Sequence, residues 1–299
     1  MTDTKAEIKS SYVHGTDITP DEYERLDTMN NGLRAYLGGL TFAPLPENPK
    51  RILDVGSGSG AWAIQAAQQF PDADVLAIDI NPLPNRALPA NLKFKQVDVL
   101  QDPIPLDVNS FDIIHVRFVL LHLPHGHTVL PKLASLLAPS GYLLIDEFHA
   151  RDLEIDTDSD SIQLGNVPGI KRALKSWKGY MRFNGQDPAI GPKLEGYLGD
   201  LRVFEEIKVD KVDVPFRPRP TEPKLKALSE TLQTAMNRSF TGTTSPEAEA
   251  FGHTDEVKKG WTDEIGRDDL EWKYAVEVYF VWARKAAGSG VDAVSAKSL

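Results

Sequence analysis

Leu53-Asp54-Val55-Gly56-Ser57-Gly58-Ser59-Gly60 is the stretch of sequence that decides the fold. The largely apolar residues from Arg51 to Val55 predict a short buried strand, and the residues from Ala61 to Phe70 predict a helix. Between them, the glycines allow a sharp turn and a close approach of the backbone to a ligand. The helix begins with free backbone N–H groups, so this unit predicts a ligand site at the end of a strand.

Segments typical of strands and helices alternate on both sides of this turn. Further strands are predicted at 74–80, 92–97, 111–116, 142–148, 203–214 and 274–284, and helices at 19–37, 128–137, 170–183, 190–199, 222–240 and 246–266. Strands that alternate with helices indicate a parallel sheet with both faces covered. We therefore expect an α/β fold built on a doubly wound, seven-stranded, mostly parallel sheet.

The pattern divides the chain into three regions. Residues 1–40 predict an N-terminal helical cover, residues 41–286 the main domain, and residues 287–299 a flexible tail of small and polar residues. Within the main domain, residues 150–200 predict an acidic lid followed by helices. Residues 215–273 predict a helical insertion before the last strand.

Composition limits the classes of function. The chain has 299 residues, a net charge of -10 and no cysteine. The acidic balance disfavours nucleic acid and anionic membranes as partners, and the lack of cysteine excludes disulfides and cysteine-ligated zinc. No carboxylate completes a metal site with His122 and His125, so we expect no metal. Without a signal peptide or a long apolar run, the chain is expected to be cytoplasmic, as a monomer or homodimer.

The glycine turn by itself is compatible with two classes of enzyme. Gly56, Gly58 and Ala61 also fit a dinucleotide-binding fingerprint, with Asp79 at a suitable distance, which keeps a nicotinamide-dependent dehydrogenase as a distant alternative. Asp54 argues against it, because a carboxylate two residues before the first glycine would repel a pyrophosphate and suit an ammonium group. A second acidic residue, Asp98, follows the third strand, and no Tyr-x-x-x-Lys pair is present.

Five segments in order resemble the motifs of class I S-adenosylmethionine-dependent methyltransferases. Asp54 to Gly60 is similar to the first motif, Asp79 to the ribose-binding residue, and Val97-Asp98-Val99 to the segment beside the adenine. Phe111 to Ile114 and Leu136 to Tyr142 are similar to the later strand motifs. The resemblance implies a Rossmann-like fold with S-adenosylmethionine as cofactor.

Segments outside the core motifs narrow this resemblance. Residues 12–15, 24–26, 116–123 and 279–285 resemble fungal methyltransferases of the velvet-complex and secondary-metabolism type. This similarity implies methyl transfer to a small-molecule acceptor, foremost to an oxygen of a secondary metabolite. Transfer to nitrogen or carbon, and a regulatory methyltransferase-like protein acting in a protein complex, stay open as alternatives.

The expected cofactor site lies at the strand ends. The resemblance implies that Asp54 pairs with the methionine ammonium group, Asp79 accepts from the ribose hydroxyls and Asp98 accepts from the adenine amino group. The other expected cofactor residues are Tyr12, Gly56, Ser57, Gly58, Gly60, Ile80, Asn81, Val99 and Arg117. Structural alternatives stay open, with Asp54 as an anchor of the turn and Arg117 as an ion-pair partner of the acidic lid.

Methyl transfer to a hydroxyl group is helped by a general base. His149, at the end of the fifth strand, is the first candidate, and His122, past the fourth strand, is the second. Histidine has a suitable ordinary pKa for this task. Glu147 is a third candidate. A purely structural role is open for each histidine.

Overall fold

Seven strands form a single sheet in the predicted places. The structure is a computed structural model that describes residues 20–149, 166–241, 245–267, 269–270 and 272–288. Its strands are β1 (Arg51–Val55), β2 (Asp74–Asp79), β3 (Leu92–Gln96), β4 (Phe111–Arg117), β5 (Leu137–His149), β6 (Phe204–Arg217) and β7 (Tyr274–Lys285). The fifth strand begins at Leu137, earlier than the predicted residue 142, because its first residue already pairs with Phe111 of β4.

The strand order identifies the edge at which a ligand can bind. The order across the sheet is β3-β2-β1-β4-β5-β7-β6, and β7 runs opposite to the direction of the other six strands. This order confirms the predicted doubly wound, mostly parallel, Rossmann-like sheet. The chain reverses its direction of winding between β1 and β4, and a crevice opens there at the carboxyl ends of the strands.

The helices are α1 (Pro20–Leu37), α2 (Ala61–Gln69), α3 (Leu130–Leu136), α4 (Pro168–Phe183), α5 (Leu194–Asp200), α6 (Pro223–Thr241), α7 (Pro246–Ala250) and α8 (Asp255–Ile265). α1 packs on α6, and α4 packs on α8. The larger apolar core fills one face of the sheet, and a smaller core around Trp62 of α2 fills part of the other. No helix in these described ranges is long and apolar enough to cross a lipid bilayer.

The single helix predicted over 246–266 is wrong, because the structure divides it into α7 and α8. Gly252 has a φ of 105° in the turn between them, which ends the first helix. The Thr254 side chain then accepts a hydrogen bond from the N–H of Val257 and caps α8. Parts of the predicted lid (150–165) and tail (289–299) lie outside the described residues.

A buried lysine joins the end of the sheet to α3. The Lys285 Nζ atom at the end of β7 donates to the carbonyl oxygens of Ala134 and Leu137 and to Oδ1 of Asn109, at 2.8–2.9 Å. Only 2% of the residue is exposed. Three charge-assisted hydrogen bonds therefore offset the cost of burying this cation.

We expect Lys285→Met to lower the free energy of unfolding by about 2–4 kcal/mol, since it leaves buried acceptors without a donor. Urea denaturation would measure the change. Lys273→Met, the same substitution at an exposed position just before β7, is the control and should change stability by less than about 0.5 kcal/mol. Equal losses in the two variants would contradict the role given to Lys285.

Candidate active site

The glycine turn has the geometry that only glycine adopts easily. Gly56 and Gly60 have φ values of 66° and 77°, and Gly60 caps the start of α2. A Cβ atom at Gly56 would lie 2.3 Å from the Cγ2 atom of Val119. The Ser57 N–H donates to the Ile78 carbonyl oxygen at 3.0 Å, which ties the turn to β2. The turn thus leaves an open backbone surface beside the strand ends.

Asp79 ends β2 directly beside this turn. Its Oδ2 accepts from the Gly58 N–H at 2.8 Å, and its Oδ1 accepts from the Asn81 N–H at 2.9 Å. Burial raises the pKa of the Asp79 carboxyl, and these N–H groups partly oppose that rise. Each carboxylate oxygen keeps a further lone pair, so Asp79 can accept two more hydrogen bonds from a diol.

A cavity of about 290 Å³ opens at this edge of the sheet. Its polar half is lined by the turn and by residues that follow β2 and β3. Among these, the Asp98 Oδ1 accepts from the Leu100 N–H at 2.8 Å, which fixes the carboxylate at the cavity wall. The lining residues predicted for the cofactor are Gly56, Gly58, Asp79, Ile80, Asn81, Asp98, Val99 and Arg117.

The other half of the cavity is apolar and aromatic. Phe118 and Phe148 stack with ring centroids 3.9 Å apart at the ends of β4 and β5. Trp177 of α4 and Phe240 of α6 extend this wall. His122 also lines the cavity. The helices α4 and α6 therefore border the space next to the glycine turn.

Arg117 lies between these two halves. Its Nε donates to Oδ2 of Asp146 at 2.7 Å, and its Nη1 donates to Oδ1 of Asn30 on α1 at 2.8 Å. The Nη2 atom is buried and has no hydrogen-bond partner among the described residues. Burial would raise the pKa of Asp146, but the charges of Arg117 and His115 together hold it below its ordinary value.

Comparison with known proteins identifies the family. A family model of a methyltransferase domain matches residues 30–188, more than half of the chain. The methyltransferase str2 of Strobilurus tenacellus is 42% identical over 267 residues, which cover 89% of this chain and 94% of that protein. The chain belongs to the methyltransferase family.

Two further comparisons support the family and the fold of this methyltransferase. The secondary metabolism regulator of Cochliobolus heterostrophus is 27% identical over 69% of this chain and 66% of its own length. A phosphoethanolamine N-methyltransferase 2 of Haemonchus contortus, solved with phosphomonomethylethanolamine and S-adenosylhomocysteine, matches with a TM-score of 0.54 at 18% identity. That match covers 90% of this chain but only 58% of the other, and it shows the shared fold.

The cofactor class follows from the family, since its members use S-adenosylmethionine. The residues of this methyltransferase fit that group. Gly58, with a φ of 55°, lines the cavity, and a Cβ atom on it would lie 3.0 Å from Leu26. Asp79 retains acceptor capacity on both oxygens, and Arg117, which lines the cavity, has a buried Nη2 without a hydrogen-bond partner among the described residues. The glycine turn at Gly58, the hydrogen-bond acceptor for a diol at Asp79 and the hydrogen-bond donor at Arg117 are thus all present.

The structure does not bring every expected residue of the methyltransferase to the cavity. Asp54 is 2% exposed, and its Oδ1 lies 2.7 Å from Nδ1 of His115. Side chains alternate along β1, so Asp54 projects toward α2 beneath the turn. Ser57 and Gly60 shape the turn without lining the cavity. Tyr12 lies outside the described residues.

His149, the first candidate for a general base, does not line the cavity of the methyltransferase either. Phe148 does, and the next side chain of a strand points to the opposite face. There the His149 Nδ1 lies 2.6 Å from Oε2 of Glu277, its direct neighbour across β5 and β7. The geometry therefore favours His122, which lines the cavity, over His149 as the candidate base.

Sequence reasoning missed several residues that shape the site. Arg25 of α1 lines the cavity, and its Nε donates to Oε2 of Glu22 at 2.7 Å. Trp177, Met236 and Phe240 line the apolar half from α4 and α6. The last three follow no motif, and only the packing of α4 and α6 brings them to the cavity. The repeated apolar residues of those helices were the available signal, but that signal equally predicts ordinary core packing.

Glu147 of the methyltransferase is completely buried at the end of β5. Its Oε1 accepts from the N–H groups of Val119 and Leu120 at 3.1 and 2.7 Å. Its Oε2 has no hydrogen-bond partner among the described residues. Burial raises the pKa of Glu147 to about 8, although the N–H groups act in the opposite direction.

We expect Glu147 to make the methyltransferase less stable as the pH rises from about 4.5 to about 8. In this window the folded chain keeps a proton that the unfolded chain releases, because the ordinary pKa is 4.5. The free energy of unfolding then falls by at most about 1.4 kcal/mol per pH unit. Glu147→Gln should remove this slope. Urea denaturation at several pH values measures the slope. Glu195→Gln, at an exposed position of α5, is the control. If the difference in the free energy of unfolding between wild type and Glu147→Gln did not change with pH, the raised pKa of Glu147 would be contradicted.

Proposed function

We propose that this methyltransferase transfers a methyl group from S-adenosylmethionine to an oxygen atom of a small, apolar acceptor, such as a secondary metabolite. One observation carries the proposal. The cavity has a polar half at the glycine turn and Asp79, and this half continues into a half walled by Phe118 and Phe148. A donor and an acceptor bound in these halves would meet near Arg117 and His122.

The strand ends hold the donor in this proposal. Asp79 accepts hydrogen bonds from both ribose hydroxyls with the lone pairs that Gly58 and Asn81 leave open. Asp98 accepts from the adenine amino group, and Val99 packs beside the ring. These contacts fix the nucleoside end of the donor.

Arg117 binds the carboxylate of the donor's methionine moiety in this proposal. Arg117 lines the cavity, and its buried Nη2 has no hydrogen-bond partner among the described residues, so a carboxylate would satisfy it. S-adenosylmethionine supplies an electrophilic methyl group on a positively charged sulfur that leaves as a neutral thioether. The chain's own residues therefore need only align the acceptor, exclude water and remove a proton.

The acceptor half suits an uncharged molecule. Its walls are the stacked Phe118 and Phe148, Trp177 and Phe240, and a charged group among them would lose its hydration without gaining a partner. His122 accepts the hydroxyl proton of the acceptor as the new carbon–oxygen bond forms. Among the described residues it is the histidine that lines the cavity.

Label transfer tests the proposed function. The protein is incubated with methyl-labelled S-adenosylmethionine and a panel of neutral phenols and enols, each paired with the amine of the same skeleton. We expect label in extracted phenols or enols and little in the amines. Label that enters only protein would overturn the proposal in favour of a regulatory methyltransferase.

We expect Asp79→Asn to weaken the binding of S-adenosylhomocysteine at least tenfold, measured by calorimetry. The substitution removes the charge and one acceptor, and hydrogen bonds to charged groups contribute about 1.5–3 kcal/mol. Asp74→Asn, at the exposed opposite end of the same strand, is the matched control and should bind like wild type. Unchanged binding by a folded Asp79→Asn variant would refute the role given to Asp79.

We expect His122→Gln to lower kcat by about 10²–10⁴ for a phenol that wild type methylates, since it removes the general base. The Kd for S-adenosylhomocysteine should stay within about threefold. His127→Gln is the control, because His127 stacks on Tyr197 and does not line the cavity. A kcat close to that of wild type would show that the reaction needs no base at position 122.

A further inference from the structure

Four buried ionisable side chains form a line beneath the cavity. They are Asp54 of β1, His115 and Arg117 of β4, and Asp146 of β5. Each side chain is at most 7% exposed. The sequence motifs single out Asp54 and Arg117 but give no role to His115 or Asp146.

The register of the sheet builds this line. Asp54 lies directly opposite His115 on neighbouring strands, and Arg117 lies directly opposite Asp146. His115 and Arg117 are two residues apart on one strand, so they share a face of the sheet. The distances along the line are 2.7 Å from Asp54 Oδ1 to His115 Nδ1, 3.9 Å from His115 Nε2 to Asp146 Oδ2, and 2.7 Å from there to Arg117 Nε.

The charges in the line balance only if His115 is protonated on both nitrogens. The Asp54 carboxylate can only accept, so the His115 Nδ1 carries the proton between them. The Nε2 atom lies 3.9 Å from Oδ2 of Asp146, which is longer than a hydrogen bond, and it has no hydrogen-bond partner among the described residues. With a proton on Nε2, two carboxylates would meet one imidazolium and one guanidinium, and the buried charges would balance. Trp62 stacks on the His115 ring with centroids 3.8 Å apart, and its π face favours a cation.

This arrangement fixes the Arg117 guanidinium at two of its three nitrogens. Asp146 holds the guanidinium at Nε, and Asn30 of α1 holds it at Nη1. The remaining nitrogen, Nη2, is buried and has no hydrogen-bond partner among the described residues, and Arg117 itself lines the cavity. Arg117 is the nearer positive partner of Asp146, and His115 supports that carboxylate from the other side, between it and Asp54.

We propose that His115 is a positioning residue that acts through Asp146 to hold the Arg117 guanidinium ready for the donor's carboxylate. The proposal rests on the proposed function, because it assumes a donor with a carboxylate in the cavity. It links the acidic residue before the glycine turn to the arginine of β4 in one electrostatic unit. If His115 only stabilised the fold, its loss would weaken the binding of the donor with or without its carboxylate. The positioning role instead predicts a loss that depends on the carboxylate.

Two ligands separate these roles. Calorimetry compares S-adenosylhomocysteine with its analogue that lacks the carboxylate. For His115→Asn, whose amide can replace Nδ1 but does not reach Asp146, we expect at least tenfold weaker binding of S-adenosylhomocysteine and less than a twofold change for the analogue. His115→Gln, whose amide reaches toward Asp146, should recover most of the affinity. Arg117→Gln should cause a similar selective loss that does not add to that of His115→Asn.

A measurement on the wild type does not depend on the folding of variants. With ¹⁵N-labelled histidine, the ring nitrogens of His115 should both carry a proton. Their signals should shift on binding S-adenosylhomocysteine and stay unchanged with the analogue.

The other outcomes would overturn either the positioning role or the proposed function. Equal weakening of both ligands by His115→Asn, or no weakening of either, would overturn the positioning role while leaving the proposed function intact. A neutral His115 ring, or ring signals that S-adenosylhomocysteine does not shift, would also overturn it. Failure of the wild type to bind either ligand would instead remove the proposed function, and the positioning role with it.

Discussion

The hydrogen bond from the Gly58 N–H to the Asp79 carboxylate is the contact on which the rest of the site depends. It joins the turn after β1 to the end of β2. The neighbouring Ser57 N–H reinforces the joint by donating to the Ile78 carbonyl oxygen. Because the contact uses one lone pair of a carboxylate that is already largely buried, it shapes the turn and still leaves acceptors for a ligand.

The alternation of side chains along the strands decides which residues can reach the cavity. On β5, Phe148 faces the cavity while Glu147 and His149 face the other side of the sheet. On β1, Asp54 is buried beneath the turn beside His115 and does not line the cavity. A position near a strand end is therefore not enough to make a residue part of the site.

Sequence patterns were sufficient for the sheet and for the polar half of the cavity. The strands alternate with helices clearly enough to give their number and places, and Gly56, Gly58, Asp79 and Asp98 lie at or just after the ends of strands. Patterns were insufficient where two distant segments meet. Nothing in the sequence tells that His115 faces Asp54, because register is a property of paired strands. The break between α7 and α8 was missed for a local reason, since the cap at Thr254 lies inside a continuous helical pattern.

The two halves of the cavity are built from different kinds of structure, which in the proposed function would separate donor recognition from acceptor recognition. Backbone turns and short side chains at the ends of β1, β2 and β3 form the polar half, where small changes disturb the fold itself. The apolar half takes Trp177 from α4 and Met236 and Phe240 from α6, whose side chains pack between helices. Hydrophobic exchanges of similar volume are tolerated in such packing. Substitutions in α4 and α6 can therefore reshape the acceptor space while the Gly58–Asp79 joint and the charged line beneath Arg117 stay unchanged.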